Sequence, residues 1–215
     1  MTISYNTHCI NPYIVRLTTC SWHLAGYGRP SRPRSVLDRA RNAVLPYESV
    51  EYLYTHRYES AVGTLYLGVD RAGVVHRVSY ADFRDQIPDA AWEVNKYACG
   101  ELEYQLDEYF AGKSLHFSLD VFFEGTSFQR AVWNRMRKIG YGSTMSYATL
   151  AQKIGRRDAA QAVGNAVGMN PAVIVVPCHR IITSSGDIGG YARRTMDGER
   201  GRRIKEQLLH LEGAL

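Results

Sequence analysis

Cysteine is scarce in this chain. Cys9, Cys20, Cys99 and Cys178 are the only four in 215 residues. They are too few and too scattered for a disulfide scaffold, and this usage fits a reducing compartment. No apolar run approaches the roughly 18 residues of a membrane-spanning helix. The first residues lack the charged-then-apolar order of a secretory signal. A compact zinc motif is missing too: His8, Cys9, Cys20 and His23 are suitable ligand types, but at a spacing that matches none. The reading is a soluble protein of one large or two small domains, with no membrane partner and no metal.

Charge is present in abundance, and it is unevenly placed. Residues 1–50 carry six arginines against Asp38 and Glu48. Residues 51–125 hold 6 basic and 13 acidic residues, whereas residues 126–215 hold 14 basic and 6 acidic. A C-terminal stretch with that excess of cations favours a polyanionic partner, though a solvated basic face has the same composition.

The chain divides accordingly into a basic extension (1–50), an acidic α/β part (51–124) and a basic helical part (125–215). In the extension, the Gly-, Pro- and Arg-rich stretch 26–34 reads as a linker. From Glu51, three alternating runs, Tyr52–Tyr58, Thr64–Val69 and Val74–Tyr80, are separated by glycine-bearing turns and predict a β-meander. Residues 89–111 show helical spacing, with Trp92, Tyr97, Leu102, Leu106, Tyr109 and Phe110 on a stripe that reads as core. Leu115–Val121 predicts a further strand. Beyond Glu124, Phe128–Ile139 predicts an amphipathic helix. Ser146 and Asp158 are N-cap residues for two short helices, Tyr147–Ile154 and Ala159–Val167. Two short helices joined by a turn containing Gly155 form a helix-turn-helix signal. The second is built from small residues, so it can approach another surface closely, and Arg156 and Arg157 stand at its start. Residues 192–203 are basic and read as exposed. Ile204–Leu211 predicts a closing helix, with Glu212 just after it.

The run Ala172–Val176 predicts a buried strand that stops at Pro177 and delivers Cys178, His179 and Arg180. A cysteine is nucleophilic as the thiolate, and a neighbouring base and cation are what it needs to become one. The plain alternative is a small buried core cysteine.

Phe128-Gln129, Val132-Trp133, Gly142, Thr144, Ser146-Tyr147, Ala162-Val163-Gly164, Asn170-Pro171 and Pro177-Cys178-His179-Arg180 follow one another at close spacing. Together they resemble the O6-alkylguanine-DNA alkyltransferase family. The stretch Tyr58–Leu65 resembles the family's N-terminal hairpin, and the likeness spans about residues 54–213. The resemblance implies an α+β fold: a ribonuclease H-like N-terminal domain with a small antiparallel sheet and helix, then a helical, winged-helix-like DNA-binding domain. It implies direct, single-turnover transfer of an alkyl group from O6 of guanine in double-stranded DNA to Cys178, with O4-alkylthymine as a further candidate substrate. No cofactor is implied, and a monomer in the cytoplasm or nucleus is expected.

In this reading His179 relays the thiol proton, Glu212 orients His179, Asn170 holds the loop, and Tyr147 donates a hydrogen to the leaving base. Minor-groove DNA contact falls to Gln129, Tyr147, Arg156, Ala160, Gln161, Gly164 and Ser184. Val176, Pro177, Ile181 and Tyr191 are expected to shape the substrate pocket. The His-Glu pair and the nearby cation are expected to lower the Cys178 pKa, since free cysteine at roughly 8.5 supplies little thiolate at neutral pH. Two positions depart from the family pattern. Gln161 stands where an arginine is usual, and Tyr141 where a proline is common. A non-transferring lesion-binding protein and a Cys-His-Glu hydrolase are the competing readings.

Overall fold

The computed structural model describes residues 53–86 and 92–215. The segment 1–50, with the His8, Cys9, Cys20 and His23 group, lies outside the described residues. Three strands follow the predicted meander: β1 (Leu53–Ser60), β2 (Gly63–Asp70) and β3 (Val75–Ser79). The β1–β2 pairing is antiparallel from Leu53↔Asp70 to Ser60↔Gly63. Gly63 closes the turn at φ 111°, a conformation open to glycine at little cost. Leu65, Leu67 and Val69 alternate inward along β2.

The sheet departs from expectation at its edge. A fourth strand, β4 (Trp92–Val94), pairs parallel to β1, so the order is β3-β2-β1-β4 and the sheet is mixed rather than antiparallel. The long helix predicted over 89–111 is therefore split, and α1 is confined to Gly100–Phe110. It buries Leu102, Gln105, Leu106 and Tyr109. The strand predicted over Leu115–Val121 is an extended segment joined to β3 by a single bridge, Val75↔Val121.

In the basic half, α2 (Ser127–Met136) begins with a capping box. The Gln129 amide N–H donates to Thr126 Oγ1, and Gln129 Oε1 accepts from the Thr126 N–H at 2.8 Å. The short strand β5 (Met145–Ser146) leads into α3 (Tyr147–Lys153), capped by Ser146 as predicted. Gly155 at φ 73° ends the turn after α3. Helix α4 (Ala160–Gly168) starts at Ala159 with no side-chain cap, so the expected Asp158 cap is not formed. Trp133, buried on α2, donates its indole N–H to the Ala166 carbonyl at 2.8 Å and ties α4 down.

Residues 172–176 are buried as predicted but do not form a strand. Val175 N–H donates to Val173 O, and Val176 N–H to Ala172 O, closing a tight reversal around Ile174 at φ 72°. This is a γ-turn at a β-branched residue, a conformation that costs on the order of 1–3 kcal/mol. The apolar side chains record burial rather than extension. Residues 178–180 then form one 3₁₀ turn, followed by β6 (Ile181–Ile182), which pairs parallel to β5. The last helix, α5 (Gly198–Leu211), starts well before Ile204, with Asp197 Oδ1 accepting from the Arg200 N–H. One hydrophobic core runs through both halves, from Leu65 and Val78 to Val163 and Leu208. Val78 exchanges backbone hydrogen bonds with Pro171 and Val173, so β3 braces the segment that carries Cys178.

Candidate alkyl-acceptor site

Glu212 is the electrostatic centre of the site. It is the C-cap residue of α5, and its side chain is fully buried. Arg180 grips it bidentately through Nε and Nη2, both at 2.8 Å, while Tyr109 O–H donates to Oε1 at 2.8 Å. Burial opposes the charge, but hydrogen bonds from His179 and Arg180 outweigh it and hold the carboxyl down to about 2. Arg180 Nη1 also donates to the Ile139 carbonyl at 2.5 Å. Tyr141 lies beside this pair. Its ring faces the Arg180 guanidinium at 5.9 Å, and its hydroxyl donates to Leu211 O. A proline at position 141 would supply neither contact.

His179 Nε2 lies 2.8 Å from Glu212 Oε1, and Nδ1 is buried without a protein partner among the described residues. Burial lowers the His179 pKa despite Glu212, so the ring is neutral at rest. A carboxylate only accepts, so Nε2 carries the hydrogen and Nδ1 presents a lone pair. That is the tautomer of a base waiting for a proton.

Cys178 opens the 3₁₀ turn and is 4% exposed. Asn170 Nδ2 donates to Cys178 Sγ at 3.0 Å and to Val176 O at 2.7 Å, and Asn170 Oδ1 accepts from the Ala172 N–H. One amide thus pins the loop and touches the thiol. Burial pushes the thiol up from its ordinary value, against the opposing pull of Asn170 and Lys205. The expected depression of its pKa is therefore corrected: at rest Cys178 is a thiol, and its proton must leave during the reaction.

Lys205 was not anticipated. Its side chain is entirely buried on α5, and Nζ donates to Ile181 O and Gly190 O. Burial lowers its pKa to about 8, with Cys178 pulling the other way. A lysine amid Ile204, Leu208 and Leu209 on an apolar helix face was the available signal. Tyr109 was read as plain core, and nothing in its spacing revealed the hydroxyl's partner.

In front of the thiol lies a cleft of about 430 Å³ lined by Cys178, Tyr147, Tyr191, Ala160, Gln161 and Gly164, among others. Tyr147 stands at the start of α3, and burial followed by the nearness of Cys178 raises its pKa, so it remains a donor. Other predicted residues lie elsewhere. Val176 and Ile181 are fully buried, and neither they nor Pro177 line the cleft. Pro177 instead lines a smaller cavity of about 130 Å³ with Arg137 and Ile139. Gln129 is engaged in the α2 cap, and Arg156 and Ser184 are exposed on separate turns.

A helix-turn-helix that presents a cleft, a thiol at its floor and a histidine-carboxylate pair behind the thiol together define a DNA-binding cysteine transferase. The family model described as the 6-O-methylguanine DNA methyltransferase DNA-binding domain matches residues 127–214. A methylated-DNA–protein-cysteine methyltransferase of Methanosarcina acetivorans is 38% identical over 167 residues, covering 75% of this chain and 99% of that protein. The chain belongs to the methylated-DNA–protein-cysteine methyltransferase family. The like-named protein of Methanosarcina barkeri is 40% identical over 165 residues, 74% of this chain and 97% of that one. The crystal structure of Mycobacterium tuberculosis OGT in complex with DNA superposes with a TM-score of 0.65 at 35% identity, covering 76% of this chain and 93% of that chain. These structures share the mixed α+β architecture, with its small sheet and, among the described residues, five α-helices.

Proposed function

We propose that this protein repairs DNA by moving the alkyl group of O6-alkylguanine onto its own Cys178, with O4-alkylthymine as a further candidate substrate. The observation that carries this reading is the buried Cys178–His179–Glu212 line opening on a cleft beside α4. In the reaction the Sγ–alkyl bond forms as the alkyl–O6 bond breaks. The thiol proton passes to His179 Nδ1, through a water if the gap requires one. The departing guanine takes a hydrogen from Tyr147, and the proton taken up by His179 then passes through water to the tyrosinate, so the thiol proton is the one guanine finally gains. General-acid help of this kind is worth typically 10²–10⁴-fold. Glu212 fixes the tautomer and stabilises the imidazolium that forms, while Arg180 holds the carboxylate in place. Acceptor and donor balance without a cofactor. The thioether product has no easy hydrolysis, so each molecule acts once.

The base must leave the stack to reach a buried thiol, at a cost of a few kcal/mol. Helix α4, thin through Ala160 and Gly164, is the element suited to the minor groove, where little sequence is read. Gln161 lines the cleft and can hydrogen-bond an orphaned base, but lacks a planar cation to stack there. In this reading residues 51–124 form a ribonuclease H-like brace and 125–215 a winged-helix-like transfer domain. The protein works as a monomer in the compartment that holds DNA, cytoplasm or nucleus.

The test is stoichiometry. A duplex with an isotopically labelled O6-methyl group is incubated with increasing protein. The proposal expects one label bound per protein molecule and none released as methanol or free base. Tight binding without label transfer supports lesion binding instead. Release of label with turnover, or hydrolysis of an ester or peptide, supports the hydrolase.

A further inference from the structure

We propose that Arg193 holds a phosphate beside the extruded nucleotide and so anchors the alkylated base in the cleft. The inference rests on the alkyl-transfer reading of Cys178. Of the described residues lining the cleft, Arg193 is the one that carries a charge. The wall contributed by α4 is neutral throughout, from Ala160 and Gln161 to Gly168. A guanine nucleotide entering such a cleft brings one kind of anion, its flanking phosphates. The base goes down toward Cys178, and the phosphates stay at the mouth because the DNA backbone continues outside. A cation is needed at the rim, and Arg193 is exposed there.

The side chain is seated rather than loose. A β-carbon on residue 190 would fall 2.5 Å from Arg193 Nε and 3.2 Å from Cζ, so the guanidinium lies close against the Gly190 backbone. Its charge reaches Tyr147 across the cleft. The neighbouring cations do not line the cleft. Arg202 pairs with Asp187 and Glu206, Arg203 pairs with Glu199, and Arg200 points to the β1–β2 turn at Gly63. No hydrogen bond or carboxylate occupies the Arg193 guanidinium among the described residues. An unoccupied planar fork at a cleft mouth matches phosphate geometry.

The test compares Arg193→Ala, Arg193→Lys and, as a charge-matched control, Arg194→Ala, the exposed neighbour that does not line the cleft. Two alkyl donors are used: an O6-methylguanine duplex, and O6-benzylguanine as a free base with no phosphate. On the duplex below saturation, Arg193→Ala is expected to slow transfer roughly 10- to 100-fold, with Arg193→Lys intermediate. Its log affinity against log salt should lose about 0.9 of slope, one phosphate contact. Free-base transfer should stay within about twofold of the parent protein, and Arg194→Ala near it on both donors. Equal effects of the two alanine variants on the duplex overturn the proposal, as does a matching loss with the free base, which makes Arg193 a wall of the pocket. If the parent protein itself alkylates with neither donor, the transfer reading has failed, and the phosphate role fails with it.

Discussion

Replacing Glu212 by glutamine keeps the shape of the side chain and removes its charge. The buried Arg180 guanidinium, held by two 2.8 Å bonds, then loses its counter-ion and faces amide hydrogens. Breaking one side of a buried pair costs about 3–5 kcal/mol. A second route gives a similar size. Glu212 is held at about 2 against an ordinary 4.5, worth on the order of 3 kcal/mol at 1.36 kcal/mol per pKa unit. For a protein of this size each kcal/mol moves Tm by about 2–4 °C, so a fall of roughly 6–20 °C is expected. The chemistry should suffer separately. A glutamine amide can donate to His179 Nε2, which places the ring hydrogen on Nδ1 and removes the waiting base. The comparable wrong-tautomer substitution in serine proteases costs about 10⁴-fold, and a loss of at least 10²-fold in single-turnover transfer is expected here. The assays are a thermal melt by circular dichroism and a quench-flow time course at a temperature where both proteins are folded. A Glu212→Gln variant that melts within 1 °C of the parent and transfers within twofold refutes the reasoning.

Acid should destabilise the protein in two stages. His179 is held neutral, so stability starts to fall as pH drops below its ordinary 6.5. The Glu212 contribution is complete above 4.5 and disappears as pH falls through the range down to about 2. Urea melts at pH 8, 5.5 and 3.5 should show a monotonic decline; a rise from pH 8 to 5.5 contradicts the His179 assignment, and no fall from 5.5 to 3.5 contradicts that of Glu212. Asn170→Ala removes the bonds to Val176 O and Cys178 Sγ and frees the Ala172 N–H; a loss of about 1–3 kcal/mol is expected, with transfer slowed at least tenfold in single-turnover kinetics. Gly201→Ala places a β-carbon on the Tyr191 carbonyl oxygen; a loss of about 1–3 kcal/mol in denaturant melts follows from overpacking. Gln161→Arg supplies a planar cation at the α4 wall and should speed single-turnover repair of duplex DNA, an effect that unchanged rates would deny.

The legible parts of the fold were those governed by local rules. β1 to β3 alternate and reverse at glycines, and α2 and α3 carry hydroxyl N-caps, Thr126 and Ser146. Long-range pairing was not legible. Trp92–Val94 sits in a helical pattern by spacing, yet pairs with β1 because that edge is open to it. Ala172–Val176 looks like a strand since apolar β-branched residues fit both a sheet and a buried γ-turn, and only the backbone at Ile174 separates the two. α5 starts early because Asp197 caps it, against the low helix propensity of Gly198 and Gly201. In the site, Cys178, His179, Asn170 and Tyr147 could be picked out from contiguous motifs. Glu212 depended on alignment across the long basic loop. Tyr109 and Lys205 stayed hidden because their polar ends lie on otherwise apolar helix faces, and their partners are a hundred and more than twenty residues away in sequence.

The central claim is that Cys178 is consumed. Intact-mass measurement after incubation with an O6-methylguanine duplex tests it most directly, with peptide mapping to locate the change. A gain of one methyl group on Cys178, absent in Cys178→Ala and slowed in Glu212→Gln, is the predicted result. An unchanged mass alongside a repaired duplex, or a methyl group mapped to Cys99 instead, contradicts it.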